Sequence, residues 1–162
     1  MFSRISYTFR EMWASLRRNF TLTAAAIITG VRALANEMAQ LGEGTQVATV
    51  GRCEFSPNLV NVVPAKVTMT VDLRNTDEAL LQQAESVFTA YTDALAQEED
   101  VTIERRSLAR FEPVEFHPEM VDLVEATAQR LGHSTKRMPS GAGHDAQMLA
   151  RVCPTAMVFV PS

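Results

Sequence analysis

The chain is short of cysteine, of surplus basic charge and of long apolar runs, and each shortage excludes a class of protein. Its two cysteines, Cys53 and Cys153, lie far apart with no CxxC or Cys/His spacing around them. Neither a disulfide framework nor a zinc site is indicated, and buried thiols are the default expectation. Acidic residues outnumber basic ones by 19 to 15, for a net charge of −4 and an isoelectric point near 5.4. A nucleic-acid partner usually shows as a basic face, so none is expected. The apolar run from Phe20 to Ile28 is closed early by Arg32, whereas a helix that spans a bilayer needs about 20 such residues. Internal repeats and low-complexity tracts are absent. What is left, 162 residues of which 46% are apolar, is an ordinary globular composition of one or two domains.

Charge is unevenly spread. Residues 1–18 carry Arg4, Arg10, Arg17 and Arg18 against Glu11, a local +3 that leaves −7 for the remainder. Three readings of this N-terminus stay open. Basic residues, an apolar stretch and Ala33-Leu34-Ala35 imitate a secretory signal, and Arg17-Arg18-Asn19-Phe20 a twin-arginine one. Cleavage after Ala35 would, however, cut into the helical region that continues from Val31. The stretch EMWASLRRNFTLTAAAIIT makes residues 1–29 resemble the N-terminus of the cell-division permease FtsX. This reading is favoured, and it would make the chain a junction of two unrelated pieces. The plainest reading is an amphipathic helix with solvated arginines. Physically, residues 1–30 form a basic, membrane-prone leader, and membrane contact is expected through it.

Beyond the leader, the chain reads as alternating elements. Between about Arg4 and Gln40 there is no proline and Gly30 is the only glycine, which predicts one long helix or two joined ones, ended by Gly42 and Gly44. Thr45 to Phe55 alternates loosely as a strand, Pro57-Asn58 turns, and Ala65 to Arg74 alternates cleanly. Val67, Met69, Val71 and Leu73 fall on one face of that second strand. Asn75-Thr76-Asp77 caps a helix to about Gln97. Val101 to Phe111, carrying Arg105, Arg106 and Arg110, reads as a further strand. A helix from Pro118 to Leu131 ends at Gly132, and Ser134 to Arg137 reads as a short strand. A glycine-rich loop, a short helix at Asp145–Ala150 and a buried strand at Thr155–Val160 complete the chain. The expected class is α+β: an antiparallel sheet with helices on one face, then a partial α/β segment, with a helix at the N-terminus.

Three motifs stand out in order. They are Asn61-Val62-Val63-Pro64, the strand end Val71-Asp72-Leu73-Arg74, and the turn Ser140-Gly141-Ala142-Gly143-His144-Asp145-Ala146. In the last, Gly141 and Gly143 would let backbone approach a ligand closely at positive φ, ahead of a helix. In this order the motifs resemble the M20 metallopeptidase superfamily. More narrowly they resemble its amidohydrolase branch of N-carbamoyl-L-amino-acid hydrolases, β-ureidopropionases and allantoate amidohydrolases, over about residues 28–162. The resemblance implies a lid or dimerisation domain at 31–112 and the C-terminal part of a catalytic α/β domain at 113–162, both incomplete. It also implies hydrolysis of C–N bonds in ureido or amide compounds by water activated at two divalent metals, zinc or manganese.

The same resemblance assigns roles residue by residue. Asn61 would bind substrate polar groups, Arg74 would grip the substrate carboxylate through its planar fork, and His144 would stabilise charge developing on the tetrahedral intermediate. Each has a plain alternative: Asn61 as a turn residue before Pro64, Arg74 paired with Asp72 or Asp77, His144 capping its own loop. No metal ligand is assigned. The histidines are His117, His133 and His144, no HxD pair occurs in a suitable context, and Glu98-Glu99-Asp100 reads as a solvated helix tip. The expected picture is therefore a fragment that binds no metal and does not turn over substrate alone, placed in the cytoplasm or at the inner face of a membrane. A non-catalytic dimerisation module is the alternative, and the family implies a homodimer.

Overall fold

The computed structural model describes residues 19–41 and 46–160. Its elements are α1 (Phe20–Leu41), β1 (Val47–Ser56), β2 (Lys66–Arg74), α2 (Glu78–Glu98), α3 (Pro118–Arg130) and α4 (Asp145–Leu149). The chain divides into two compact units, Met1–Arg110 and Phe111–Ser162. Helices with a two-stranded antiparallel sheet make it an α+β protein. The N-terminal part of the expected leader, residues 1–18, lies outside the described residues. From Phe20 onward the leader belongs to α1, which runs through Gly30 without interruption.

In the first unit, local signals set each element. The Asn19 side chain accepts from the amides of Thr21 and Leu22, at 3.1 and 3.4 Å, and so starts α1. Ala24, Ile27, Val31, Leu34 and Met38 then recur at helical spacing, and all are buried. Each of the larger ones contributes on the order of 1.5–3 kcal/mol through removal from water. β1 and β2 pair from Val47↔Arg74 to Ser56↔Lys66, with a bulge between Val50 and Arg52 where Gly51 sits. Ala48 and Val50 from β1, with Met69, Val71 and Leu73 from β2, pack on the buried side chains of the two helices. Asp77 caps α2 by accepting from the Leu80 amide at 3.0 Å.

Helices α1 and α2 meet closely at Gly30. A Cβ there would lie 2.5 Å from Cε1 of Tyr91, and the Tyr91 hydroxyl donates to the Ala26 carbonyl at 2.8 Å. The ring is thus held across the helix pair and leaves no room for a side chain at position 30.

In the second unit, Pro118 opens α3, where its missing N–H costs nothing. Gly132 closes it at φ 85°. Arg137 folds back along α3, with its Nη2 2.6 Å from Asp122 Oδ1 and its Nε 3.0 Å from Glu125 Oε2. The His117 amide donates to the Thr155 carbonyl at 3.1 Å.

Several expectations are corrected. Residues 101–111, 134–137 and 155–160 form no strand, because a strand exists only through a neighbour's ladder and none of these segments meets one among the described residues. The 155–160 segment is also not buried: Val158 is 67% exposed. The thiols depart from expectation too, since Cys53 is half-buried and Cys153 exposed.

Candidate functional site

The three motif residues occupy distinct places. Asn61 stands exposed in the loop that joins β1 to β2. That loop is closed at its base where the Ala65 amide donates to the Ser56 carbonyl at 2.9 Å. Its tip is apolar and open to water, with Val60 fully exposed and Leu59 61% exposed. Loops of this kind are where recognition residues are carried on a rigid hairpin.

Arg74 closes the other end of β2, roughly 26 Å of strand from Lys66 at about 3.3 Å per residue. Residues two apart on a strand share a face, so Asp72 and Arg74 meet. Arg74 Nε lies 2.9 Å from Asp72 Oδ1 and its Nη2 2.7 Å from Oδ2, a two-point fork. The hydrogen bond from Arg74 holds the Asp72 carboxyl below its ordinary value, against the partial burial that would raise it. By the same bond Asp72 raises the Arg74 guanidinium. The neighbouring Asn75 is fixed as well: its Nδ2 donates to Oε1 of the buried Gln46 at 3.0 Å, and its Oδ1 accepts from the Asp77 amide at 2.9 Å. Gln46 was not legible as a support, because it lies 29 residues away and only the pairing of β1 with β2 brings it there.

His144 sits at the start of α4, in the second unit. Its Nδ1 accepts from the Ala146 amide at 3.0 Å, so the side chain caps the helix. An acceptor at Nδ1 is an unprotonated nitrogen, which in the neutral ring places the proton on Nε2 and leaves that atom as a donor. The ring is solvent-exposed while Ala146 behind it is buried. Neither Gly141 nor Gly143 has positive φ; among the described residues only Gly132 is a glycine of that kind. A Cβ at Gly141 would meet nothing within 4 Å, and one at Gly143 only the Gln147 amide oxygen at 4.0 Å. The glycine requirement expected here is therefore not one this chain's own backbone imposes.

Asn61 precedes β2 and Arg74 is its last residue, so the two lie toward opposite ends of that strand, and His144 belongs to the other unit. Among the described residues, no group of three or more His, Cys, Asp or Glu could hold a metal ion. No helix among them is long and apolar enough to cross a membrane.

The sequence model of peptidase family M20/M25/M40 matches residues 13–162. The chain is 36% identical to the N-carbamoyl-L-amino-acid amidohydrolase of Rhizobium meliloti over 146 residues, 90% of this chain and 34% of that protein. It is 40% identical to the allantoate amidohydrolase of Escherichia coli over 116 residues, 72% of this chain and 28% of the relative. Among solved structures, an amidase of the hydantoinase/carbamoylase family from Burkholderia vietnamiensis superposes with a TM-score of 0.80 at 34% identity. That match covers 89% of this chain and 34% of the other. The chain thus spans about a third of the length of the curated relatives it matches.

Proposed function

We infer the role of this chain from one premise: it belongs to peptidase family M20/M25/M40, whose members are generally dependent on divalent metal. The reading is that it supplies the substrate-side residues of an amidohydrolase acting on C–N bonds of N-carbamoyl amino acids or related ureido and amide compounds. The observation that carries it is the set state of His144. In the neutral ring, the cap at Nδ1 leaves Nε2–H as a donor, the arrangement needed to stabilise negative charge as a carbonyl becomes tetrahedral. Arg74 offers guanidinium chemistry suited to a carboxylate, braced by Asp72. Asn61 offers an amide donor and acceptor for a ureido group, on an exposed hairpin loop.

The described residues do not fit a metal centre. We propose that the 162-residue chain alone does not turn over substrate. Elemental analysis after dialysis against zinc and manganese, run beside hydrolysis assays on N-carbamoyl amino acids, tests this. Two bound metals per chain with turnover would overturn it.

A second reading, a dimerisation module, is favoured by the β1–β2 sheet, both of whose edges are open among the described residues. Light scattering behind size exclusion tests it: a clean dimer supports it, a monomer removes it. Cytoplasmic placement rests on likeness to the family. Membrane contact through residues 1–30 rests on their charge, and equal liposome flotation with and without them would dismiss it.

A further inference from the structure

Arg74 is the last residue of β2 and pairs with Val47, the first of β1. The end of a strand ladder frays readily unless something closes the next rung. Here a pair of side chains closes it. Continuing the register by one step sets Gln46 opposite Asn75, and Nδ2 of Asn75 donates to Oε1 of Gln46 at 3.0 Å. Residues two apart share a strand face, so this pair falls on the core side with Leu73, which packs on Leu34, Met38 and Ala84. Asp72 and Arg74 take the opposite, open face. Burial agrees: Gln46 is 8% exposed and Asn75 half-buried, whereas Asp72 and Arg74 are exposed.

The Gln46–Asn75 clasp belongs to a longer chain of bonds. Gln46 Nε2 donates to the Val47 carbonyl at 3.1 Å. Asn75 Oδ1 accepts from the Asp77 amide at 2.9 Å, and Asp77 Oδ1 accepts from the Leu80 amide at 3.0 Å. The start of β1, the end of β2 and the first turn of α2 are thus tied together around Arg74. Among the described residues no buried side-chain nitrogen or oxygen lacks a partner, so the clasp is the state in which the buried Gln46 amide is satisfied.

A guanidinium grips a carboxylate through two parallel bonds best when it is placed beforehand. Asp72 holds the head of the Arg74 side chain, at 2.9 and 2.7 Å. Yet Asp72 lies two residues back along β2, opposite Thr49. If the strand end peeled away from β1, the Arg74 backbone would move relative to Asp72 and the fork would open. The buried clasp acts at that point, on the base of the side chain. We propose that Gln46 is a positioning residue for Arg74: through Asn75 it fixes the end of β2, so that the guanidinium stands ready for a substrate carboxylate. The carboxylate rests on the amidohydrolase reading above; the positioning of Arg74 does not.

The test uses NMR on the full chain and two uncharged variants that break the same bond from either side. Gln46→Met keeps the length of the side chain but cannot accept from Asn75. Asn75→Ser can still accept from the Asp77 amide but is too short to reach Gln46. Val31→Ala, in the buried core of the same unit, is the control for a general loss of stability. Two readouts are followed: the Asp72 carboxyl titration, which reports the fork, and the shift of the Arg74 Nε–Hε signal with added N-carbamoylglycine. Both clasp variants should raise the Asp72 titration toward the ordinary aspartate range and weaken N-carbamoylglycine binding roughly threefold, the cost of ordering one long side chain on binding. Val31→Ala should change neither. An Asp72 titration unmoved in the clasp variants, or moved equally by Val31→Ala, overturns the proposal. A parent chain that shows the fork result but no response to N-carbamoylglycine overturns the carboxylate reading of Arg74 instead, and the positioning stands.

Discussion

At the scale of single residues, His144 and Asp72 each carry a prediction that separates a local role from a functional one. His144 caps α4 through Nδ1. Replacing a capping side chain with alanine costs about 1 kcal/mol, whereas asparagine caps as well as the residues that natural helices prefer. His144→Ala should therefore speed exchange of the Ala146 amide about fivefold, and His144→Asn should leave it near the parent rate. Equal acceleration in both variants would show that the cap does not hold the turn. Asp72 is held below its ordinary value by Arg74. A depressed carboxyl stabilises the folded chain above its unfolded value, and that stability is lost as pH falls through the folded one. The pair is largely exposed, at 49% and 47%, so its effect on stability should stay below about 1 kcal/mol. Carboxyl NMR titration should find Asp72 below the usual aspartate range, and Arg74→Ala should return it upward. An Asp72 titration unmoved by that substitution would remove Arg74 as the cause.

Among the elements, the α1–α2 contact is the most exacting. Alanine at position 30 would favour α1 intrinsically by about 1 kcal/mol. Its Cβ would also meet the Tyr91 ring at 2.5 Å, and the ring is tethered by its hydroxyl. Overpacking typically costs 1–3 kcal/mol, so Gly30→Ala should lower the melting temperature, and Tyr91→Ala in the same chain should relieve much of that loss. A stabilised single variant would show that the ring moves aside freely. The sequence told of these elements unevenly, for reasons that particular residues make plain. The helices were legible because their signals are local: Asp77 as a cap, Pro118 and Gly132 as ends, apolar residues at helical spacing; the start of α1 at Asn19 was not read. β1 and β2 were legible because they alternate and pair with each other. Val101–Phe111 alternates equally well, yet alternation states only that a segment suits a sheet, not that a neighbour is present. The contact of Gly30 with Tyr91 was invisible, since it depends on how two helices cross. For a candidate site, the motifs singled out Asn61, Arg74 and His144. Spacing could not reveal that Asp72 takes up the Arg74 fork or that His144 caps its own helix, and both had stood as the plainer alternatives.

For the whole molecule, the two units differ in what holds them. The first buries Ile27, Val31, Leu34, Met38, Leu81, Ala84 and Leu95. In the second, α3 has no buried residue and Ala146 is the single apolar residue buried among those described, while Leu123, Leu131, Val152 and Val158 are each more than half exposed. Apolar burial is the main favourable term in folding, and the polar bonds of Arg137 with Asp122 and Glu125 lie near the surface, where each contributes little. The second unit should therefore open with a much smaller free energy than the first. Amides of α3 should exchange far faster than those in the buried turns of α1 and α2. A urea titration followed by both sets of amides should give two transitions, the second unit first. Coincident transitions would mean that the units stabilise one another and unfold as one cooperative body. Because His144 lies in the weaker unit and Asn61 and Arg74 in the stronger, the same experiment also shows which of the proposed substrate groups is held in place before any ligand arrives.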